Sequence, residues 1–426
     1  MNIETLHQLF LKSSGVSIDT RSIKQDAIFF ALKGDNFNGN TYASKAIDEG
    51  ALYSIIDEKK YHLSNNKTYL VSNVLETLQA LAKFHRTYLG LPIIALTGSN
   101  GKTTTKELIL SVLSQQYNTN ATKGNLNNHI GVPLTLLSMN KNTEIGVVEM
   151  GANHLGEIAM LCEITQPDFG YITNFGKAHL EGFGSLQGVI NAKTELYNHL
   201  QKNNKKAFVN SDDKIQADYS ANIDLFSFGI YNADCLYKII ASNPKVKIEF
   251  NNLKILSNLI GKYNATNIAA ALCIGTFFNV TNDKLTKGIE NYIPANNRSQ
   301  IIQKQSNSIV LDAYNANPTS MIAALESFIS TVASNKILFL GDMFELGTEA
   351  KKEHQNIVDY LQNNFFGKIY LIGLNFYSTN IVSEKIKQYK SFEDLELFLK
   401  NTEIEKASIL IKGSRGMALE RILEFI

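Results

Sequence analysis

A glycine-rich loop that follows a buried strand constrains the fold of this chain more than any other segment. Residues 97–104 read TGSNGKTT, directly after the apolar run 93–96, and a helical pattern follows the loop. In this order of elements, the backbone N–H groups of the loop and the start of the helix can hold phosphate oxygens. Lys102 would reach the outer phosphates of a nucleotide, and the Thr103 hydroxyl would hold Mg²⁺. The sequence therefore predicts a nucleotide-binding domain.

The loop departs from the strict form of this motif at one position. A glycine is expected five residues before the glycine of Gly-Lys-Thr, and Leu96 stands there. The alternative is an ordinary glycine-rich turn, but strand, glycines, lysine and hydroxyl groups occur together in the required order. We therefore predict that the loop binds ATP, through Gly98, Asn100, Gly101, Lys102, Thr103 and Thr104.

The chain is longer than one hydrophobic core usually organises, because it has 426 residues. We predict three α/β domains: a small N-terminal domain at 1–86, a central P-loop domain with a mostly parallel sheet at 87–294, and a C-terminal doubly wound, Rossmann-like domain at 295–426. The strands expected from apolar runs are 93–97, 145–148 and 171–173 in the central domain, and 309–311, 336–340, 369–372 and 408–411 in the C-terminal domain.

The charge balance argues against a polyanionic partner. The chain has 41 basic and 40 acidic residues, and its formal net charge is +1. Such a chain lacks the electrostatic attraction expected for nonspecific binding to nucleic acid or to a membrane. No run approaches the roughly twenty uninterrupted apolar residues of a membrane helix. We expect small-molecule ligands and a monomer.

The three cysteines, Cys162, Cys235 and Cys273, are far apart in the sequence and form no Cys-x-x-Cys pair. They indicate neither a disulfide framework nor a zinc site, so we interpret them as packing residues in a reducing compartment. Residues 1–14 lack the basic start and the apolar stretch of a secretory signal. A cytoplasmic location is therefore expected.

Two further polar residues, Glu149 and His179, are candidates for a metal site. Glu149 ends the run 145–148, so we expect its carboxylate at the same sheet edge as the loop, where it could bind Mg²⁺. The alternative is a surface glutamate at a strand end. His179 follows another strand; a lone histidine is more often structural, but this position favours a metal role. Lys193, by pattern alone, would be an exposed helix lysine.

Two segments have both a ligand-binding and a structural interpretation. Residues 261–267, GKYNATN, open a long apolar helical run, where asparagine side chains could cap the helix or hydrogen-bond a purine. Residues 312–318, DAYNANP, follow the first strand of the third domain and precede a helix, a position suited to ligand contact. Taken alone, helix capping is the better interpretation of each segment.

The combination of these motifs resembles the Mur ligases, the ATP-dependent amide-forming enzymes of peptidoglycan precursor synthesis. The resemblance spans nearly the whole chain: the loop is similar to the family's variant P-loop, and residues 192–196, AKTEL, to the segment with its carbamylated lysine. It implies that Lys102, His179 and Lys193 are catalytic, and that carbamylated Lys193 presents oxygens to a hard cation. The implied ligands of two Mg²⁺ ions are Thr103, Glu149, His179 and Lys193. The implied contacts to adenine, phosphate and ribose are Asn267, Arg298 and Asp312.

Other segments imply particular substrates within that family. Residues 312–318, 340–347 (LGDMFELG) and 412–415 (KGSR) are similar to the member that adds D-alanyl-D-alanine to UDP-N-acetylmuramoyl-tripeptide. Residues 19–22 (DTRS) and 29–34 (FFALKG) are similar to a UDP-sugar-binding domain, although the usual Asp-Gly-His is Asn38-Gly39-Asn40 here. Residues 125–133 are similar to a segment that lines the UDP-substrate side. The implied substrate contacts are Thr20, Arg21, Asn40, Asn125, Asn128, Asn315 and Asn317.

The expected reaction runs through an acyl phosphate made from ATP. Two alternatives remain open at this point. The preceding Mur ligase, which adds the third amino acid, shares the N-terminal domain type and the loop, but the Asp-Asn-Pro-Arg motif of its diaminopimelate-selecting forms is not found. A P-loop ATPase or regulatory module is the alternative from another class, and it would need neither His179 nor Lys193.

Overall fold

The computed structural model describes residues 2–63, 66–294 and 297–426. Three sheets follow one another along the chain, and helices pack against each of them. The predicted three-domain α/β architecture is confirmed, whereas the predicted start of the third domain at residue 295 lies outside the described residues.

The N-terminal sheet is parallel, with strand order β1-β2-β5-β6, and a short β3-β4 hairpin stands beside it. Ile28 and Phe30 pack on one face and Phe29 on the other, so the apolar run is buried on both sides, as expected of a parallel sheet. The elements are α1 (Ile3–Phe10), β1 (Val16–Ser17), β2 (Ile28–Phe30), β3 (Lys33–Gly34), β4 (Phe37–Asn38), α2 (Ala43–Asp48), β5 (Tyr53–Ile56), β6 (Thr68–Leu70) and α3 (Val74–Leu89).

The central sheet contains nine strands within the described ranges, in the order β15-β14-β13-β12-β11-β10-β7-β9-β8. Its elements are β7 (Ile93–Thr97), α4 (Lys102–Leu113), β8 (Thr119–Ala121), α5 (Gly131–Leu137), β9 (Ile145–Glu149), α6 (Glu157–Thr165), β10 (Phe169–Ile172), α7 (Leu180–Phe183), α8 (Leu186–Lys202), β11 (Lys206–Asn210), α9 (Lys214–Ser220), β12 (Asp224–Gly229), β13 (Cys235–Ala241), β14 (Lys247–Phe250), β15 (Leu253–Leu256), α10 (Asn264–Phe277) and α11 (Asn282–Glu290). The strands from β8 to β13 pair in parallel, which confirms the mostly parallel sheet.

The antiparallel extension of this sheet by β14 and β15 was not predicted. These strands alternate buried and more exposed residues, because one face packs on the core and the other lies at the surface. The sequence analysis relied on continuous apolar runs, and such runs mark strands that are buried on both faces.

The C-terminal sheet has the order β16-β17-β21-β18-β19-β20 and is parallel except for the edge strand β16. Its elements are β16 (Gln300–Lys304), β17 (Asn307–Asp312), α12 (Pro318–Ile329), β18 (Lys336–Gly341), α13 (Ala350–Asn364), β19 (Lys368–Ile372), α14 (Leu374–Tyr377), β20 (Ile386–Tyr389), α15 (Phe392–Leu399) and β21 (Ser408–Lys412). All seven strands expected in the second and third domains are present, with ends shifted by at most two residues. No helix in the described part of the chain is long and apolar enough to cross a membrane.

A pair of buried histidines joins α1 and α3 to the central sheet region. The His7 and His85 rings are 3.0 Å apart between Nε2 and Nδ1, and His85 Nε2 lies 3.0 Å from the Met139 carbonyl oxygen. Because a carbonyl only accepts, His85 must donate from Nε2 and accept from His7 at Nδ1. Burial lowers the pKa of each ring below its ordinary value, which favours this neutral arrangement.

These histidines predict a loss of stability in mild acid. The unfolded chain binds protons at the ordinary histidine pKa of about 6.5, whereas the folded chain resists them. Their contribution is therefore complete above that pH and is lost as the pH falls through the lowered folded values. Urea unfolding at about pH 7.5 and about pH 5.5 should show a lower midpoint in acid. In the variant His7→Phe/His85→Leu the acid-induced decrease should be smaller; an equal decrease in both proteins would assign it to other groups.

Candidate active site

The phosphate loop lies between the end of β7 and the start of α4, as the sequence predicts. Two of its residues have backbone conformations that favour glycine, since φ is 143° at Gly98 and 78° at Gly101. A Cβ atom on Gly98 would lie 2.0 Å from the Thr173 hydroxyl oxygen, at the end of the neighbouring strand β10. The two glycines therefore let the loop turn closely around the sheet edge, directly before the start of α4.

Lys102 folds back onto this loop. Its Nζ donates to the carbonyl oxygen of Gly98 at 2.8 Å and to that of Ser99 at 3.3 Å. Burial lowers the pKa of Lys102, and the nearby Arg298 guanidinium lowers it further, while Glu149 and Glu345 oppose the shift. Phosphate oxygens are stronger acceptors than these carbonyls and would restore the charged form of the amine.

Glu149 ends β9 beside the loop, and its side chain is 1% exposed. Oε1 accepts hydrogen bonds from the Thr103 hydroxyl at 3.2 Å and from Asn127 Nδ2 at 2.8 Å. Oε2 is buried without a hydrogen-bond partner. A buried carboxylate oxygen that lacks a donor suits a cation, and an oxygen-only set of Glu149 and Thr103 suits a hard ion such as Mg²⁺. The interpretation of Glu149 as a surface residue is wrong.

Lys193 is buried, with 1% of its surface exposed, so the pattern-based expectation of an exposed helix lysine is wrong. It lies on the face of α8 that packs towards the sheet, and Nζ donates to the carbonyl oxygen of Ala152 at 3.3 Å. Its ammonium lies 5.2 Å from the centroid of the Phe183 ring. Burial holds the pKa of Lys193 well below its ordinary value, and repulsion from Lys102 adds to this effect. No carboxylate pairs with this amine within the described residues, so the buried environment favours its uncharged form.

His179 lies where the central and C-terminal parts of the chain meet. It adopts a left-handed backbone conformation, with φ of 52°, immediately before α7. Its Nδ1 contacts a carboxylate oxygen of Glu345, a residue of the loop after β18. The hydrogen bond from His179 lowers the pKa of Glu345, so this carboxyl is ionised. His179 is therefore available near the phosphate loop, but its Nδ1 is engaged by the C-terminal region.

The C-terminal region supplies the opposite wall of the site. Asp312 at the end of β17 accepts from the Ser299 N–H at 3.1 Å and from Lys412 Nζ at 2.6 Å. The Arg298 guanidinium stacks 3.6 Å from the centroid of the Tyr314 ring, and its Nε is buried without a partner. A cation above an aromatic face is held in orientation while its edge N–H groups stay free for an anion.

The two asparagine-containing segments differ in their use of helix capping. Helix α10 begins with Tyr263 as its N-cap, without a side-chain hydrogen bond, and Asn267 instead accepts from the Thr105 hydroxyl at 3.1 Å. Capping therefore does not explain Asn267. Asn317, in contrast, caps α12 in a reciprocal capping box with Ser320.

These side chains surround one cavity of about 530 Å³. The predicted site residues that line it are Asn100, Gly101, Lys102, Thr103, Thr104, Asn125, Asn128, Glu149, His179, Asn267, Arg298, Asp312 and Asn315. Gly98 contributes its carbonyl to Lys102, Lys193 contacts the cavity wall at Ala152, and Asn317 hydrogen-bonds to Asn100. No group of three or more His, Cys, Asp or Glu residues suited to a metal occurs in the described chain.

Four residues of this site have roles that the sequence does not indicate. Asn127 orients Glu149, Lys412 pairs with Asp312, Tyr314 stacks on Arg298, and Glu345 contacts His179. Each of them lies inside one of the predicted motif segments, so the motifs predict the region of the site but not these individual residues. The individual roles depend on contacts between distant segments.

The three predicted UDP-sugar contacts lie outside this cavity. The Arg21 side chain is mostly exposed and pairs with Asp19 at 2.6 Å. Asn40 is fully buried; it donates to Asp57 Oδ1 at 2.8 Å and accepts from the Asp57 N–H at 2.9 Å. Thr20 follows Asp19, which lines a second cavity of about 970 Å³ between the N-terminal region, α3 and the segment around α5.

Comparison with known proteins places this architecture in one family. The Mur ligase family catalytic domain matches residues 12–88, the Mur ligase middle domain matches 96–275, and the Mur ligase glutamate ligase domain matches 297–415. The chain therefore belongs to the Mur ligase family of ATP-dependent ligases.

The relatives point to one member of that family. The UDP-N-acetylmuramoyl-tripeptide–D-alanyl-D-alanine ligase of Bacillus subtilis is 34% identical over 96% of this chain and 92% of its own length. The same ligase of Escherichia coli is 32% identical with the same coverage of each chain. Among solved structures, MurF from Acinetobacter baumannii superposes with a TM-score of 0.86 at 28% identity, covering 98% of this chain and 97% of its own. MurF ligase from Thermotoga maritima in complex with ADP superposes with a TM-score of 0.85 at 28% identity and the same coverage.

Proposed function

We propose that this protein joins D-alanyl-D-alanine to the terminal carboxylate of UDP-N-acetylmuramoyl-tripeptide with consumption of ATP, in peptidoglycan precursor synthesis. One observation carries the proposal: the phosphate loop and Glu149, with its partnerless carboxylate oxygen, border a single cavity together with Arg298 and Asp312 of the C-terminal region. The buried amine of Lys193 lies behind the cavity wall and donates to the carbonyl oxygen of Ala152. The names of the full-length relatives supply the substrates.

The proposed reaction has two steps. A carboxylate oxygen of the tripeptide attacks the γ-phosphorus of ATP, and the bond to the β-phosphate oxygen breaks to release ADP. The resulting acyl phosphate has a good leaving group. The amine of the dipeptide then attacks the acyl carbon and loses a proton, and the tetrahedral intermediate expels phosphate to leave the amide.

The chain's own residues stabilise charge during these steps. Lys102 would exchange its loop carbonyls for the phosphate oxygens of ATP, and Arg298, held by Tyr314, would contact phosphate from the opposite wall. Asp312 is held by Ser299 and Lys412 and would accept the ribose hydroxyls, while Asn267 would contact adenine. The loop N–H groups would hold the remaining phosphate oxygens.

Mg²⁺ would supply Lewis-acid charge neutralisation on the transferring phosphoryl group. Thr103 and Glu149 suit one ion as they stand. We infer that His179 and Lys193 hold a second ion after carbamylation of Lys193. An unprotonated amine is the form that adds carbon dioxide, and the lowered pKa of Lys193 supports this modification.

Further assignments concern the domain bounds, the contacts to the other two substrates, the oligomeric state and the cellular location. We propose that the domains span 1–86, 87–294 and 295–426, and that Thr20, Arg21 and Asn40 contribute to UDP-sugar binding next to the second cavity. Asn125, Asn128 and Asn315 would contact the peptide substrates, since all three line the first cavity. The proposed ATP site is built from one chain, which supports a monomer. A UDP-linked substrate and ATP support the cytoplasm as the place of action.

The proposal predicts that nucleotide turnover depends on the amine acceptor. Phosphate release should require ATP, UDP-N-acetylmuramoyl-tripeptide and D-alanyl-D-alanine together, because the acyl phosphate is consumed only by the dipeptide amine. The measurement is a continuous phosphate-release assay with a panel of amines, in which single amino acids serve as controls. Release with UDP-dipeptide and diaminopimelate or lysine would indicate the preceding ligase instead. Release without any amine would indicate a P-loop ATPase.

A further inference from the structure

The phosphate loop is bonded directly to the C-terminal part of the chain through two asparagine side chains. Asn317 Nδ2 donates to Asn100 Oδ1 at 2.7 Å, across a separation of 217 residues. Asn100 belongs to the phosphate loop, and Asn317 is the N-cap of α12 in the C-terminal region. The contact therefore joins the segment that would hold ATP to the segment proposed to present the amine.

The orientation of the Asn317 carboxamide is determined by its second contact. Asn317 Oδ1 accepts from the Ser320 N–H at 2.9 Å, and only an acceptor can face this N–H group. The amide nitrogen must then point the other way, towards Asn100. The side chain is 5% exposed, so water does not compete strongly for either group. Asn317 thus uses one end as a helix cap and the other end as a donor to the phosphate loop.

Neighbouring contacts also join the central domain to the C-terminal region beside the phosphate loop. The Ser99 hydroxyl donates to the Gly176 carbonyl at 3.0 Å, which ties the phosphate loop to the loop after β10. That second loop reaches the C-terminal region, where the Lys177 N–H donates to the Thr319 hydroxyl oxygen at 3.1 Å and Lys177 Nζ pairs with Glu353 at 2.6 Å. The Asn100–Asn317 bond joins the N-cap of α12 to the phosphate loop itself.

We propose that Asn317 is a positioning residue that aligns the C-terminal region with the phosphate loop, so that the amine reaches the acyl phosphate. This inference rests on the proposed ligase function. Transfer between two substrates held by different domains is sensitive to small misplacements of either one. Asn317 acts through Asn100 and takes no part in the chemistry.

The chain offers a test that separates positioning from helix capping. Serine, aspartate and asparagine are nearly equivalent N-caps, so Asn317→Ser and Asn317→Asp keep the cap but lack the Nδ2 donor. Ser320→Ala is the matched control, because it removes the reciprocal half of the capping box and leaves the bond to Asn100 in place. Each variant is assayed for kcat and for the KM of ATP in the complete ligase reaction, and its thermal midpoint is measured.

We expect kcat to fall about tenfold in both Asn317 variants, with a KM for ATP within about twofold of wild type, because the amine step is misaligned while the nucleotide is still held. Their thermal midpoints should match wild type, and Ser320→Ala should keep wild-type kcat. In an Asn100→Ser background, the further change Asn317→Ser should cost little more. Wild-type kcat in both Asn317 variants, or additive losses in the double variant, would overturn the inference alone. A wild-type enzyme that does not turn over the dipeptide would overturn the proposed function as well.

Discussion

Replacing Lys193 with alanine should abolish nearly all ligase activity, with kcat reduced by about a thousandfold, and added short carboxylates should restore part of it. The residue is buried and carries no ion pair within the described chain, and burial lowers the pKa of its amine well below the ordinary value. A neutral buried amine can be carbamylated, and the carbamate would supply the oxygens that a second Mg²⁺ ion needs. The alanine variant leaves a cavity at residue 193. Formate or acetate can diffuse into this cavity and place a carboxylate where the carbamate would be.

The measurement is phosphate release with increasing concentrations of formate or acetate. Lys202→Ala is the matched control, because Lys202 lies on the same helix, is exposed, and should show neither loss nor rescue. Isotopically labelled bicarbonate should label the wild-type protein and fail to label the Lys193 variant. Full activity of Lys193→Ala without added carboxylate would show that this lysine has no role in metal binding.

The substitution Glu149→Gln should reduce kcat by about a hundredfold or more and raise the Mg²⁺ concentration needed for half-maximal activity. Glutamine has the same size and can keep the acceptor that faces Thr103 and Asn127. Its amide nitrogen would then replace Oε2, the buried oxygen without a partner, and would present a donor where a cation is proposed. The stability of the fold should change little, because the side-chain shape is retained.

Exposed Glu163 provides the control, since Glu163→Gln changes the same chemical group on the surface of α6 and should leave the Mg²⁺ dependence unaltered. A Mg²⁺ titration of phosphate release compares the three proteins. If Glu149→Gln keeps the wild-type Mg²⁺ dependence, the partnerless oxygen is not a metal ligand.

Local patterns were sufficient for the phosphate loop and for most of the sheets. The order strand, loop and helix at residues 93–113 is written in consecutive residues, and both the apolar run and the glycines are local signals. The parallel strands are equally visible, because burial on both faces requires continuous apolar runs. The strands β14 and β15 were not predicted, because only alternate residues are buried there and no continuous apolar run results.

Individual side-chain environments were less accessible from sequence. Lys193 has the pattern of a surface lysine, yet it is buried. Its burial depends on which face of α8 packs against the rest of the domain, and this packing is not visible in the local sequence. Asn267 and Asn317 looked equally like caps, and only Asn317 is one. The two segments have similar compositions, so composition could not distinguish them.

The sequence by itself determined that this chain builds a nucleotide-binding α/β protein, because the loop TGSNGKTT and its flanking strand and helix are contiguous. It also determined the family, because several different family motifs are distributed along the chain. Only the tertiary structure decided how the loop meets the rest of the molecule: the bond from Asn317 to Asn100, the contact of His179 with Glu345, and the burial of Lys193. These contacts join residues that are far apart in the chain, and their partners are set by the packing of whole sheets and helices against one another.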